Sequence, residues 1–243
     1  MPPSDKIDAA DRAASGDLVY HGVRLPPHPQ YLPERRIERI RNGRYEWQEI
    51  AGALHAVRPG DRVLELGAGI GIVGAVIAKN RAPARILSYE ANPALIGYAR
   101  AMHRANGLGE VIELRNAVLM SDPDAPATTD FHVHASFLGS SLIAPAGRRS
   151  TRVAVAVERL AEVTADFTPE VMVIDIEGGE LAFFRHADLS AVRAIIVELH
   201  PKVYGQDGMA ECLALLEAAG LSRDAAVSQP TVVTCLRPAA AAG

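Results

Sequence analysis

The sequence predicts an α/β fold in which a helical N-terminal extension precedes a doubly wound, mostly parallel sheet of seven strands. Two observations predict this fold. Apolar segments of strand length alternate along the chain with segments of helical spacing, which is typical of strand–helix–strand units with right-handed crossovers. The segments 63–66, 171–176 and 194–197 are almost continuously apolar, as expected of central strands buried on both faces.

Local signals define the individual elements. Strands are predicted at 62–66, 84–90, 111–119, 130–137, 153–157, 171–176 and 192–199, with two more within 224–236. Helices are predicted at 70–79, 93–105, 158–165, 180–187 and 209–219, and a turn at 139–141. Asn92 is a suitable cap for the second helix, which has proline at its first position. Gly220 ends the last helix.

Three segments are predicted along the chain. Residues 1–30 contain five prolines and little periodicity, which favours an extended or partly disordered lead-in. Residues 31–58 show helical spacing and predict a helical cap over the mouth of the main domain. Residues 59–238 form the predicted ligand-binding domain, in which the irregular stretch 121–152 is expected to help shape a substrate site.

Composition excludes several classes of protein. The chain has 243 residues, of which 49% are apolar and 22% charged, as in ordinary soluble proteins. Its net charge of −4 argues against nucleic acid as a partner. No segment approaches the ~18 apolar residues of a membrane span, and residues 1–17 lack an apolar signal region, so a cytoplasmic location is expected. Cys212 and Cys235 lie in apolar patterns and are expected to fill the core.

The first motif is a glycine-rich turn that follows the first predicted strand. Gly67, Gly69 and Gly71 come directly after the apolar run, and Glu65 stands two places before the first of them. The next apolar run ends at another acid, Glu90. A strand, a turn without side chains and an acid after the next strand together describe a nucleotide-binding pocket, in which the acid binds ribose hydroxyls.

Two nucleotides compete for this turn. Gly69 to Gly74 satisfies the dinucleotide pattern G-x-G-x-x-G, but Gly67 and Ala68 intervene between the strand and its first glycine. A carboxylate at Glu65 would also repel a pyrophosphate. S-adenosylmethionine carries a cationic ammonium and a sulfonium, so Glu65 suits it better. NAD stays as the alternative, as does a tight turn in which Glu65 is only an ion-pair partner.

The second motif carries more specificity. An apolar strand at 171–174 runs into Asp175, Glu177 and two glycines, and the following predicted strand ends near Glu198 and His200. Because parallel strands present their carboxyl ends at one edge of the sheet, we expect these four side chains to lie beside the reactive end of the cofactor.

Here the chain resembles the FkbM-type methyltransferases that depend on S-adenosylmethionine. The resemblance is carried by Asp-Ile-Glu-Gly-Gly-Glu at 175–180 and Ile-Ile-Val-Glu-Leu-His at 195–200. The first two family motifs match at 64–71 and 89–93, and the resemblance covers roughly 45–221. It departs at Glu65, where aspartate is common, and at Gly69, where asparagine is common. It implies a class I, Rossmann-like methyltransferase fold and O-methylation of a hydroxyl on a small molecule, sugar or secondary metabolite.

Roles follow for the candidate residues. The expected cofactor-binding residues are Glu65, Gly67, Ala68, Gly69, Gly71, Glu90, Ala91, Asn116, Ala117 and Asp175. The expected catalytic residues are Asp175, Glu177, Glu198 and His200. A hydroxyl is a poor nucleophile, so a base or a metal is needed. Asp175 could be that base or hold the methionine amine, and His200 is the rim histidine with a suitable unperturbed pKa.

Four alternatives stay open at this stage. A divalent metal on Asp175, Glu177 and Glu198 is conceivable, although nothing in their spacing demands one. Asn116 would bind the adenine edge or simply end a strand. Residues 45–47 would form part of a lid, or Trp47 would lie in the core. Besides the oxidoreductase, a scaffold that binds the methyl donor without turnover is an alternative function.

Overall fold

The computed structural model describes residues 18–134 and 150–238. The strands are β1 (Leu18–Tyr20), β2 (Val23–Leu25), β3 (Arg62–Leu66), β4 (Arg85–Tyr89), β5 (Ile112–Arg115), β6 (Val118–Met120), β7 (Thr128–His134), β8 (Ser150–Arg159), β9 (Val171–Ile174), β10 (Ala194–Glu198), β11 (Ser222–Arg223) and β12 (Val232–Leu236). The helices are α1 (Glu34–Arg41), α2 (Trp47–Ala56), α3 (Ile72–Arg81), α4 (Pro93–Ala105), α5 (Leu160–Asp166), α6 (Glu180–His186) and α7 (Pro201–Ala218).

The central sheet confirms the predicted fold class. Its seven strands lie in the order β11-β12-β10-β9-β3-β4-β5. The pairs β3–β4, β4–β5, β3–β9 and β9–β10 are parallel, whereas β12 is antiparallel to β10 and β11. The strand order reverses direction at β3, between β4 on one side and β9 on the other. The segments that follow β3, β4, β9 and β10 therefore meet at one edge, beside the crevice where such sheets bind ligands.

The core has two layers because successive residues of each central strand face opposite sides of the sheet. Val63 faces α2, α3 and the N-terminal segment, whereas its neighbour Leu64 faces the layer formed by α6 and α7. Cys212 and Cys235 are buried, unpaired thiols in the second layer, which confirms their predicted place in the core. Among the described residues, no helix is long and apolar enough to cross a membrane.

The N-terminal segment differs from the predicted lead-in. Residues 18–25 form the hairpin β1–β2, in which Tyr20, Val23 and Leu25 are buried against the core. His21 and Gly22 have positive φ angles of 46° and 76°, as a two-residue hairpin turn requires. The prolines of this region lie on either side of the hairpin, so residues 18–25 of the predicted lead-in form ordered, paired strands. Residues 1–17 lie outside the described residues.

The middle of the chain builds a second, three-stranded sheet in the order β6-β8-β7. The strand predicted at 111–119 is two strands, β5 and β6, which belong to different sheets. The strand predicted at 153–157 is the middle of the ten-residue β8. The strand predicted at 130–137 starts at 128 and is described as far as 134. The turn predicted at 139–141 lies outside the described residues.

Two elements near the C-terminus also differ from prediction. Helix α7 begins at Pro201 rather than at 209, because proline favours the first helical position. Gly205 interrupts this helix with a φ of 76°. The two last strands were predicted within 224–236, but β11 is a two-residue strand at 222–223. Strand β12 lies inside the predicted range.

Candidate active site

A cavity of about 300 Å³ opens at the carboxyl edge of β3, β4 and β9. Most predicted site residues line it, namely Glu65, Gly67, Ala68, Gly69, Glu90, Ala91, Ala117, Asp175 and Glu177. Gly71, Asn116, Glu198 and His200 do not line it. Tyr45 and Glu46, predicted as part of a lid, contribute to its wall, and so do residues of β6 and β7.

Gly67 sits where the glycine turn passes over the end of β9. Its φ is +85°, and a Cβ atom there would lie 1.7 Å from the carbonyl oxygen of Asp175. The Asp175 N–H donates to the Leu66 carbonyl at 2.9 Å, which holds the two strand ends together. A side chain at position 67 would therefore push apart the two strands that carry the site.

Glu90 lies at the end of β4 and faces the cavity from a buried position. One carboxylate oxygen accepts the Gly69 N–H at 2.7 Å, and the other accepts the Asn92 N–H at 2.6 Å. Burial raises the pKa of Glu90 to about 7, although these hydrogen bonds favour the charged form. The Glu90 carboxylate thus ties the glycine turn to the start of α4.

The Asn116 side chain faces the loop after β4 and does not line the cavity. Its side-chain amide donates to the carbonyl oxygens of Glu90 and Ala91, at 2.8 and 3.1 Å. It therefore fixes the loop that carries Glu90 from behind, whereas the next residue, Ala117, lines the cavity. The short break between β5 and β6 explains this, because it turns the two neighbouring side chains in different directions.

Glu65 and Gly71 support the turn from below. The Glu65 carboxylate is buried, accepts the Gly74 N–H at 2.8 Å and also accepts the Ser88 hydroxyl. Burial raises the pKa of Glu65. A Cβ atom at Gly71 would lie 2.6 Å from Nε2 of His103, so glycine there lets α4 approach. Both oxygens of Glu65 therefore have partners within the protein.

The second motif forms a tight turn that curls back on itself. Glu177 has a φ of 50° and Gly178 a φ of 103°, both in the left-handed region. A Cβ atom at Gly178 would lie 2.7 Å from Val203, so the start of α7 packs directly on this turn. The turn brings Glu180 back to the Gly178 N–H, which donates to its Oε1 at 3.0 Å. Glu180 is fully buried.

His200 lies just after β10 and contacts the acids that follow β9. Its Nδ1 lies 3.0 Å from Oε1 of Glu180, and its Nε2 lies 3.5 Å from Glu177 and 3.8 Å from Oδ1 of Asp175. Burial alone would lower the pKa of His200, but the hydrogen bond and charge of Glu180, together with the charges of Glu177 and Glu198, outweigh it and raise the pKa. His200 therefore lies behind two carboxylates that line the cavity.

Further acids surround Asp175. Burial first, and then the charges of Glu198, Glu177, Glu46 and Glu49, raises the pKa of Asp175 well above its usual range. Burial and the charge of Glu46 raise the pKa of Glu49 to about 8, and Glu49 also hydrogen-bonds with Glu198. Sequence reasoning gave Glu49 no role. The one available signal was its position one helical turn after Glu46, which says nothing about what it faces.

Within the part of the chain that the structure describes, two sets of side chains have the geometry to hold a metal ion. They are Asp175, Glu177 and His200, and Glu46, Asp175 and Glu198, with the candidate ligand atoms of each set within 4.8 Å of one another. The predicted trio of Asp175, Glu177 and Glu198 is thus divided between the two sets. Oδ1 of Asp175 is buried and has no hydrogen-bond partner among the described residues.

These residues fit S-adenosylmethionine. A glycine turn leaves bare backbone at the cavity, and the Glu90 carboxylate is available there for hydroxyl donors. Oδ1 of Asp175, which accepts no hydrogen bond from the described residues, and the acids around it suit a ligand whose far end is cationic. The fold and the site together define the class of methyltransferases that use S-adenosylmethionine.

The sequence match identifies the family within this class. Residues 65–222 match the family described as "Methyltransferase FkbM domain". This match covers well over half of the chain, so the protein belongs to the FkbM methyltransferase family, as the resemblance predicted. The family relationship supports methyltransferase activity with S-adenosylmethionine as the methyl donor. No curated protein matches the chain in sequence.

Solved structures with similar folds include several methyltransferases. A precorrin-6y C5,15-methyltransferase from Geobacter metallireducens is 14% identical with a TM-score of 0.45, over 79% of this chain and 88% of that one. A TehB-like methyltransferase from Corynebacterium glutamicum is 14% identical with a TM-score of 0.43, over 84% and 95%. A ribosomal protein L11 methylase from Lactobacillus delbrueckii is 12% identical with a TM-score of 0.45, over 78% and 75%. Because these likenesses are weak, the family assignment rests on the sequence match.

Proposed function

We propose that the protein transfers the methyl group to a hydroxyl oxygen of a small molecule, with Asp175 and His200 as its base. The observation that carries the proposal is the position of His200. Its Nε2 lies directly behind Asp175, which lines the cavity, and its Nδ1 is held by a fully buried acid, Glu180.

The chemistry calls for such a base. When bound, S-adenosylmethionine supplies an electrophilic methyl group, and the chain must orient the acceptor and take its proton. Asp175 faces the cavity, and burial and the neighbouring carboxylates raise its pKa, which favours the binding of a proton there. His200 and Glu177 lie behind it, so that the carboxylates stabilise the imidazolium that forms when the proton reaches Nε2.

The remaining contacts divide between cofactor and acceptor. Glu90 would accept hydrogen bonds from ribose hydroxyls, the turn at 67–69 would lie against the methionine and ribose portions, and Ala117 would lie beside adenine. Strands β6 and β7 bring Leu119, Met120 and Phe131 to the opposite wall. That apolar wall supports a small organic acceptor, and the net charge of −4 supports an acceptor other than nucleic acid. A cytoplasmic location belongs to the same proposal.

The experiment that tests the base is His200→Ala. We expect kcat to fall by about 10²-fold, the lower end of what a general base contributes, while the affinity for S-adenosylhomocysteine stays within about twofold. His55→Ala is the matched control, because His55 pairs with Asp224 away from the cavity. The acceptor is first found by mass spectrometry of candidate hydroxylated compounds incubated with the methyl donor. Full activity of His200→Ala would reject the base assignment.

A metal-assisted route is the second candidate, because Oδ1 of Asp175 is buried near Glu177 and His200 and accepts no hydrogen bond from any described residue. In that case EDTA would abolish turnover, and Mg²⁺ or Mn²⁺ would restore it. Under the proposed base, turnover is insensitive to EDTA. Calorimetry with S-adenosylhomocysteine and NAD separates the methyltransferase from an oxidoreductase, and cofactor binding without turnover on any acceptor would indicate a scaffold.

A further inference from the structure

Glu180 is the one fully buried acid of the second motif, and the chemistry proposed above does not use it directly. We infer that Glu180 is a positioning residue, which holds the His200 imidazole with its proton on Nδ1 and so leaves Nε2 as the working nitrogen. Only the expected effect on kcat rests on the proposed function. The expected tautomer of His200 is the same whether Nε2 takes a proton or binds a metal.

The hydrogen-bond pattern fixes the position of the proton. Oε1 of Glu180 accepts the Gly178 N–H at 3.0 Å and lies 3.0 Å from Nδ1 of His200. Because Oε1 already acts as the acceptor for the Gly178 N–H, we take it as the acceptor for Nδ1 as well, which places the proton on Nδ1. In the neutral ring Nε2 is then the free nitrogen, and it is the one that faces Asp175 and Glu177.

The burial of Glu180 makes this contact more than incidental. A carboxylate with no exposed surface is costly unless it is paired. Among the described residues, the ion pair recorded for Glu180 is the one with His200, and its Oε2 makes no hydrogen bond. The imidazole therefore helps to offset the buried charge, together with the Gly178 N–H, and the carboxylate in turn orients the imidazole.

The backbone on both sides supports the pair. The left-handed conformations of Glu177 and Gly178 return the chain so that the Glu180 side chain reaches the rim. On the other side, the His200 N–H donates to the Tyr204 hydroxyl at 2.5 Å, which fixes the start of α7. The titratable groups that face the imidazole are Asp175, Glu177, Glu180, Glu198 and Tyr204.

The test compares Glu180→Met, which removes the acceptor, with Glu180→Gln, which keeps an acceptor oxygen and removes the charge. Two-bond ¹H–¹⁵N spectra of the full chain, labelled at histidine and recorded at about pH 9, report which nitrogen of neutral His200 carries the proton. We expect the Nδ1–H form in the wild type and in Glu180→Gln, and a shift toward the Nε2–H form in Glu180→Met. An Nε2–H form in the wild type overturns the inference without recourse to any variant.

Kinetics supply the second readout. We expect kcat to fall by about 10²-fold in Glu180→Met and to recover partly, to about 10-fold below wild type, in Glu180→Gln, with KM for the methyl donor unchanged. Asp61→Asn is the control, since it removes a buried carboxylate paired with Arg193 at the far end of the sheet. It should lower stability without changing the tautomer or kcat.

The outcomes separate the two proposals. A changed tautomer in Glu180→Met with unchanged kcat supports the positioning role and rejects His200 as the base. An unchanged tautomer in Glu180→Met overturns the positioning role, whatever happens to kcat. If Glu180→Met does not fold, the wild-type spectrum decides, and an Nε2–H form there overturns the positioning role.

Discussion

The two halves of the cavity rim treat their carboxylates in opposite ways. After β3 and β4, both oxygens of Glu65 and both oxygens of Glu90 accept hydrogen bonds from neighbouring backbone or hydroxyl groups. After β9, Oδ1 of Asp175 and Oε2 of Glu180 are buried without a hydrogen bond among the described residues. In the first half, each of these carboxylate oxygens has a hydrogen-bond donor. The second half has buried carboxylate oxygens without a donor and carries an excess of negative charge.

This difference suits the two halves of the rim to different roles. Hydrogen-bonded carboxylates hold a fixed shape, which suits a half that binds a cofactor by its sugar and backbone contacts. Carboxylates that repel one another, as around Asp175, favour the arrival of a proton or a positively charged group. Under the proposed function, recognition of the cofactor would fall to one half of the rim and proton transfer to the other.

Gly67→Ala is expected to have the largest effect, because Gly67 joins the two halves. A left-handed alanine costs about 1 to 2 kcal/mol, and its Cβ would meet the Asp175 carbonyl at 1.7 Å, so we expect a total loss of stability of about 3 kcal/mol. Gly60→Ala is the matched control, since Gly60 has the same φ of +85° and nothing within 4 Å. Urea unfolding of both variants measures the difference, and equal losses would show that the contact with Asp175 carries no weight.

Glu90→Ala tests the half of the rim formed by β3 and β4. We expect the affinity for S-adenosylmethionine to fall by roughly 2 kcal/mol, or about 30-fold in Kd, from the loss of charge-assisted hydrogen bonds. Calorimetry with S-adenosylhomocysteine measures it, with Glu113→Ala as a control, because Glu113 pairs with Arg85 and Arg115 at the sheet edge. Unchanged affinity in Glu90→Ala would overturn the assignment of this residue to ribose.

Local signals predicted the parts of the fold that position the cofactor. Strand β3 and helix α4 have the predicted bounds, because an uninterrupted apolar run and a proline after a capping asparagine are both short-range features. The Asn92 side chain accepts the Ala94 N–H at 3.1 Å, as a cap does. The carboxyl ends of parallel strands then brought Glu90, Asp175 and His200 to one edge without further information.

Contacts between distant segments could not be predicted in the same way. Glu49 meets Glu198 from a helix far earlier in the chain, and a helical pattern does not show which neighbour a residue faces. The partner of Glu65 is Ser88 on the next strand, a pairing set by register. Glu180 belongs to the motif at 175–180, but its contact with His200 depends on a turn that folds back toward the imidazole.

Glu49→Gln tests the half of the rim around Asp175. Near pH 5 its effect should be the smallest, about 1 kcal/mol of unfolding free energy, and it should grow as the pH rises toward 8. The pKa of Glu49 is raised to about 8 in the folded protein from an ordinary 4.5. The wild type therefore loses stability as pH rises from about 4.5 to 8, since the folded state resists ionisation that the unfolded chain accepts. Glutamine cannot ionise, so the variant should be the more stable protein at about pH 9 and nearly equal to wild type near pH 4.5.

Urea unfolding at both pH values measures this difference in unfolding free energy. Glu211→Gln gives the opposite sign as a control, because the hydrogen bond from Arg185 lowers the pKa of Glu211, and that pair stabilises the protein only while the carboxylate is charged. If Glu49→Gln is less stable than wild type at about pH 9, the acids around Asp175 do not strain the fold. The contrast between the two halves of the rim would then reduce to their hydrogen bonds.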